Sequence, residues 1–228
     1  MIDMTAVLEG VGLHRSFGTT SALRGADIAV VAGEVLAIMG PSGSGKSTLL
    51  HCLAGILRPD DGEVRFDCRR IDDLNEHDRT ELRRRHFGFL FQFGQLVPEL
   101  PVIENVALPL LLAGVKRRDA LANADRWFAR LDIDGLQHRR AGEMSGGQAQ
   151  RVALARALVT EPKVLFADEP TGSLDSLAGE RVMDLLVDTA RDRGTTVVLV
   201  THEPRVAAYA DREVVVRDGR CTTTVAVG

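Results

Sequence analysis

Gly40-Pro41-Ser42-Gly43-Ser44-Gly45-Lys46-Ser47 follows an apolar run, Val35-Leu36-Ala37-Ile38-Met39, and leads into a helical pattern. A chance Gly/Ser turn needs no such neighbours, whereas a phosphate-binding loop needs a strand before it and a helix after it. The glycines let successive N–H groups curl around phosphate oxygens, and the helix points its positive dipole end at them. In that arrangement Lys46 reaches the outer phosphates and Ser47 offers a hydroxyl to Mg²⁺, with Thr48 opening the helix beside it. Nucleotide binding is the expectation from this stretch alone.

The rest of the chain bounds the class. With 228 residues, 45% of them hydrophobic, it can bury a large core, and a net charge of −4 supplies no global field for nucleic acid or anionic lipid. No nucleic-acid partner is expected. Cys52, Cys68 and Cys221 are far apart and fit no metal-ligand spacing, which is the usage of a reducing compartment, so all three read as structural. Met1 to Thr5 lack a basic segment followed by an apolar one, and the apolar stretch Val106 to Val115 is broken by Pro109 and Gly114. A cytoplasmic location, with any membrane role exercised through a partner, is the expectation.

Taken in order, 6–13 and 22–31 read as two strands of an antiparallel hairpin, with Phe17 in the turn between them, placed either to stack on a base or to pack in the core. After the loop, Leu49, Cys52, Leu53 and Ile56 fall at helical spacing in a helix that stops near Pro59. A turn at Asp60-Asp61-Gly62 leads into a short strand, then a polar helix from Glu76 to Arg85, whose terminal Arg83-Arg84-Arg85 reads as a solvated end favoured by the helix dipole. The strand Phe87–Phe91 delivers Gln92 to its end. Beyond it, Phe93, Leu96, Val97 and Leu100 among prolines suggest a packed joint or a groove for a partner's helix, and Leu121, Ala124, Phe128 and Leu131 share a helical face.

Ser145-Gly146-Gly147-Gln148 then opens a helix, with Ser145 a good N-cap. Two glycines and free N–H groups also make it a second candidate anion site, which suggests a nucleotide shared between two copies. Val164 to Ala167 is apolar enough to be buried on both faces and ends in Asp168-Glu169. Carboxylates at that edge sit where ligands bind in open α/β sheets: Asp168 can hold Mg²⁺ through water beside Ser47, and Glu169 can take a proton from an attacking water. A further strand, 195–200, ends in Thr201-His202-Glu203, placing His202 where it could touch a γ-phosphate. The helical pattern of Val182, Leu185, Leu186 and Ala190 between these strands makes them parallel, and an Asp218-Gly219 turn closes a terminal hairpin.

The combination resembles the nucleotide-binding subunits of ATP-binding cassette (ABC) transporters over essentially the whole chain. Residues 40–47 correspond to that family's Walker A motif, Gln92 to its Q-loop and Ser145-Gly146-Gly147-Gln148 to its signature. Asp168-Glu169 corresponds to Walker B, Ser173-Leu174-Asp175 to the D-loop, His202 to the switch histidine and Phe17 to the adenine-stacking aromatic. Leu96 to Leu100, Ile103 to Leu110 and Thr171 to Ser176 look like the lipoprotein-release, macrolide-export and antimicrobial-peptide-resistance group, the LolD/MacB-like ATPases. The chain departs from the usual pattern at Met144, where leucine is common, and at Ser173, where asparagine is common and an amide that could bond across a dimer is lost.

The resemblance implies an α/β fold of the P-loop NTPase type: a RecA-like core with a parallel sheet, an N-terminal antiparallel β-subdomain and a small α-helical subdomain. One ABC ATPase domain would span 1–228, with 1–92 and 160–228 forming the core and 93–159 the helical part that carries the signature. It implies ATP and Mg²⁺ as ligands, with Ser47, Asp168 and Gln92 at the metal, Glu169 as general base and His202 as γ-phosphate sensor. Two copies would bind head to tail as a homodimer on the inner face of the cell membrane, docked on an integral membrane permease of the FtsX/MacB-like type. A regulatory ATPase gating a membrane-bound signalling or cell-wall hydrolase complex is the alternative.

Overall fold

The structure is a computed structural model and describes residues 6–224. The reading of Met1 to Thr5 lies outside the described residues. The chain opens as an antiparallel hairpin, β1 (Ala6–Phe17) and β2 (Thr20–Val31), both longer than the apolar pattern predicts. Phe17 is therefore the last residue of β1, paired with Thr20, rather than part of the turn. With β4 (Asp61–Phe66) and β5 (Arg69–Arg70) the hairpin forms a four-stranded sheet in the order β2-β1-β4-β5. The pair Arg69-Arg70 has no apolar alternation to betray it. It becomes a strand because Asp67 and Cys68, both at positive φ, fold it back on β4.

The second sheet has six strands in the order β10-β9-β3-β8-β7-β6: β3 (Val35–Met39), β6 (Phe87–Phe91), β7 (Val164–Asp168), β8 (Thr196–Val200), β9 (Arg212–Arg217) and β10 (Arg220–Thr224). All neighbours are parallel except β10, which returns from β9 through the Asp218-Gly219 turn. Side chains of a strand point alternately to its two faces, and both faces here are covered. Val164, Phe166, Val198 and Val200 join one apolar cluster with the four-stranded sheet and α1 (Lys46–Leu53). Leu165, Ala167, Val197 and Leu199 join another, with α3 (Val102–Leu112), α4 (Arg117–Arg130), α5 (Gly146–Leu158) and α6 (Ser176–Arg193). That double burial is why these strands read as continuous apolar runs.

Several local expectations change. The first helix ends at Leu53, because Gly55 takes positive φ, and Ile56 lies beyond it, 40% exposed, instead of on the buried face. In α2 (Glu76–His86) two of the terminal arginines are tied down while Arg85 is exposed as expected: Arg83 donates to the Gly55 carbonyl and pairs with Glu76, and Arg84 donates to the Leu112 carbonyl. They satisfy carbonyls at the ends of neighbouring helical segments. Cys52 is buried and its thiol is pushed up to about 12 by desolvation, so it is an inert core residue. Cys68 is exposed in the β4–β5 turn and does not pack in the core.

Candidate nucleotide site

Parallel strands bring their carboxyl ends to one edge, and the pairing register puts the candidate residues in one row. Phe91 lies opposite Asp168, Asp168 opposite Val200, and Val200 opposite Ile38. Gln92, Glu169, Thr201 and Met39 therefore leave the sheet at the same level, and Gly40 and His202 follow one residue later. This edge, where α1 leaves β3 to one side, is where open α/β sheets bind ligands.

The loop 40–45 is shaped by its glycines. At Gly40 a Cβ would lie 2.2 Å from the Val216 carbonyl oxygen, and at Gly45 it would lie 2.3 Å from that of Ala22, with φ of 142° and 104° respectively. Any side chain there would drive the loop off β9 or β2. Gly45 caps α1 without a side-chain bond, so the N–H groups of the first turn remain directed at the loop. Lys46 is buried, its ammonium held 2.9 Å from the carbonyls of both Gly40 and Pro41. It lies across the mouth of the loop as a fixed positive charge.

From the first turn of α1, Ser47 Oγ donates to Asp168 Oδ1 at the end of β7 at 3.2 Å, so the two proposed metal-binding oxygens are adjacent. Burial pushes the Asp168 carboxyl up from its ordinary value, and the Ser47 bond draws it partly back. Glu169 has a φ of 47°, an uncommon conformation for a residue with a side chain, and its N–H bonds the Val200 carbonyl. That conformation turns its carboxylate out of the strand toward His202, whose Nδ1 is 2.8 Å from Oε1. An ionised carboxylate only accepts, so Nδ1 carries the proton and Nε2 is free for another partner.

A cleft of about 720 Å³ is lined by Gly40, Pro41, Ser42, Lys46, Gln92, Glu169 and His202, with Arg217 at the end of β9, while Ser47 and Asp168 are not among its lining residues. Ser145, Gly146, Gly147 and Gln148 do not line it. They form the first turn of α5, where Ser145 and Gln148 cap each other's backbone. Phe17 stands apart from the cleft lining too, 48% exposed, with the Arg15 guanidinium stacked 5.1 Å from the ring centroid and held in turn by Asp60. This removes core packing as the reading of Phe17. Asp175 is the N-cap of α6, accepting from the Ala178 N–H.

Two connections have no counterpart in the motif reading. Ser173 Oγ donates to the Gln92 carbonyl at 2.8 Å, so the serine found where asparagine is common ties the D-loop to the Q-loop within the chain. Gln150, 2% exposed, binds both the Phe91 and Pro170 carbonyls. Its sequence signal was a polar residue at an apolar position, since Gln150, Ala153, Leu154 and Ala157 form one buried face of α5.

Comparison with known proteins gives the family. The family described as ABC transporter matches residues 23–172. The chain is 42% identical over 213 residues to the lipoprotein-releasing system ATP-binding protein LolD of Porphyromonas gingivalis, covering 93% of this chain and 97% of that one. It is 44% identical over 224 residues to the protein of the same name from Geobacter metallireducens, covering 95% and 98%. Among solved structures, the dimeric bacterial ABC transporter cassette MJ0796 superposes with a TM-score of 0.89 at 34% identity, covering 97% of this chain and 99% of that chain. The post-hydrolysis dimer of that cassette, bound to ADP and Pi, superposes with a TM-score of 0.88 at 34% identity over the same shares. The chain belongs to the ABC transporter family, as one of its ATP-binding and ATP-hydrolysing subunits.

Proposed function

We propose that this chain is the motor of a lipoprotein-releasing type of membrane transporter, working as a head-to-tail homodimer in which each ATP lies between the loop 40–47 of one copy and the Ser145 turn of the other. The observation that carries this is the separation of two anion sites. The cleft holding Lys46, Glu169 and His202 takes no lining residue from 145–148, so the Ser145 turn is not part of its own chain's cleft. The dimeric cassettes among the solved relatives support a dimer.

Each side chain then has a task. Lys46 neutralises the outer phosphates, while Phe17, backed by Arg15, offers its free face to the adenine. Asp175, at the exposed start of α6, faces the other copy across the D-loop. Glu169 takes a proton from the attacking water, and His202, held by Glu169 through Nδ1, stands beside it as the γ-phosphate sensor. The paired oxygens of Ser47 and Asp168, with the Gln92 side chain, fit a hard cation that keeps most of its waters, as Mg²⁺ does. Mg²⁺ bound there would neutralise charge on the β- and γ-phosphates.

Residues 1–92 and 160–228 serve as the nucleotide-binding core and 93–159 as the helical part that closes over the other copy. No helix among the described residues is long and apolar enough to cross a membrane, so the partner supplies the membrane element. An apolar groove of about 560 Å³ between α2, β6, α3 and α5, lined by Phe87, Phe89, Phe91, Leu108 and Leu112, fits a helix of an integral membrane permease of the FtsX/MacB-like type. Phe91 joins this groove directly to Gln92. The chain would thus work at the inner face of the membrane.

Mixing two inactive variants tests the shared site. A Lys46→Ala chain keeps a sound signature and a Ser145→Arg chain keeps a sound loop, so their mixed dimer has one complete site. Equal mixing should restore ATP turnover absent from either alone. No restoration would place both anion sites in service of one chain and end the proposal.

A further inference from the structure

We propose that Gln150 is the positioning residue through which the signature helix holds the Gln92 and Glu169 segments of its own chain in working geometry. The inference rests on the shared-site reading above. Strands β6 and β7 end at Phe91 and Asp168, so the Pro170 carbonyl, two residues past β7, falls outside the sheet's hydrogen bonding. Backbone carbonyls buried without partners are costly, and something must satisfy them. Gln150 Nε2 satisfies the Pro170 carbonyl at 2.8 Å and donates at 2.9 Å to the Phe91 carbonyl, which also accepts from the Gly94 N–H.

The positions of those carbonyls matter more than their number. Phe91 immediately precedes Gln92, and Pro170 immediately follows Glu169. One amide therefore spans the two segments that carry the metal-facing glutamine and the base, and both of its protons are committed. The same helix grips the next residues as well: Arg156, two turns along, donates to the carbonyls of Gly94 and Gln95. At its other end α5 begins with Gly146 and Gly147, directly after Ser145. A displacement of α5 when the Ser145 turn meets the other copy's nucleotide is thus delivered to Gln92 and Glu169 through a buried amide with no slack.

The mixed dimer that separates the two anion sites can also locate this task. Its one live site uses the loop, Gln92 and Glu169 of the Ser145→Arg chain and the signature of the Lys46→Ala chain. Gln150→Met keeps the side-chain shape and removes both donors. Placed in the Ser145→Arg chain it should lower the restored kcat at least about tenfold, with KM for ATP within about threefold, because binding is retained and only the reacting geometry is lost. Placed in the Lys46→Ala chain it should leave the restored kcat within about twofold.

Equal loss in both placements would make Gln150 a stability residue and overturn the inference, as would no loss in either. Should the Met variant fail to fold, as judged by circular dichroism, Gln150→Glu is used in the same two placements, since it keeps the shape and loses the amide donors. Failure of the parent pair to complement would instead count against the shared site itself.

Discussion

Replacing Glu169 with Gln changes one oxygen for an amide nitrogen and leaves everything else about the position nearly as it was. The backbone conformation, with φ of 47°, is set by the Val200 bond and the tight turn through Gly172, neither of which involves the side chain. The Gln Oε1 can still accept from His202 Nδ1, so the 2.8 Å contact survives. The lost property is proton affinity: an amide oxygen cannot take a proton from water. A positioned general base is worth about a hundred- to ten-thousandfold in rate, or about 2.7–5.4 kcal/mol of barrier. The Lys46 and Ser47 contacts with phosphate are untouched, so affinity for ATP should stay within about threefold. With turnover removed and the ATP sandwich intact, the variant should also elute as a dimer in ATP and as a monomer without it. Steady-state phosphate release, equilibrium binding of a fluorescent ATP analogue and size-exclusion chromatography read the three quantities. Turnover within twofold of the native rate would refute the assignment of Glu169 as base. A hundredfold loss of affinity alongside the lost turnover would show that the residue holds nucleotide instead.

Two further outcomes follow from the geometry. Arg15→Ala removes the cation stacked behind Phe17, a contact worth about 0.5–1 kcal/mol at an exposed site, so KM for ATP should rise about two- to fivefold with kcat unchanged; a fall in kcat alone would contradict a purely base-stacking role. The His86 imidazole, held below its ordinary value of 6.5 by burial and then by the Lys163 charge, with Asp67 opposing, binds its proton less tightly in the fold than in the unfolded chain. Its contribution to stability is therefore present above about pH 6.5 and lost as pH falls through the lower folded-state value. His86→Gln should flatten the urea-midpoint profile below pH 6.5, and an unchanged slope would discount the residue.

The chemistry of the nucleotide site was legible along the chain because it is written in short contiguous stretches. Gly40 to Ser47, Asp168-Glu169 and His202 each follow an apolar strand, and a strand buried on both faces announces itself by the lack of polar alternation. What is spread over distant segments was not legible. Arg69-Arg70 pair with β4 only because a turn returns them, and Arg83 and Arg84 look solvated until the carbonyls of Gly55 and Leu112 arrive beside them. The Phe17 ring could be read as core or as a shelf until Arg15 was found covering one face.

The eight residues 40–47 determined by themselves that a phosphate is bound, since the positive φ of glycine and a helix N-terminus are local properties. The tertiary structure alone decided which groups stand together around it. Parallel register brings Gln92, Glu169 and His202 level with the loop, and Gln150 of α5 binds the carbonyls of Phe91 and Pro170, while 145–148 take no part in lining the cleft. Register and helix packing join segments up to about 160 residues apart, as Ile38 and Val200 are, and no local pattern encodes such distances.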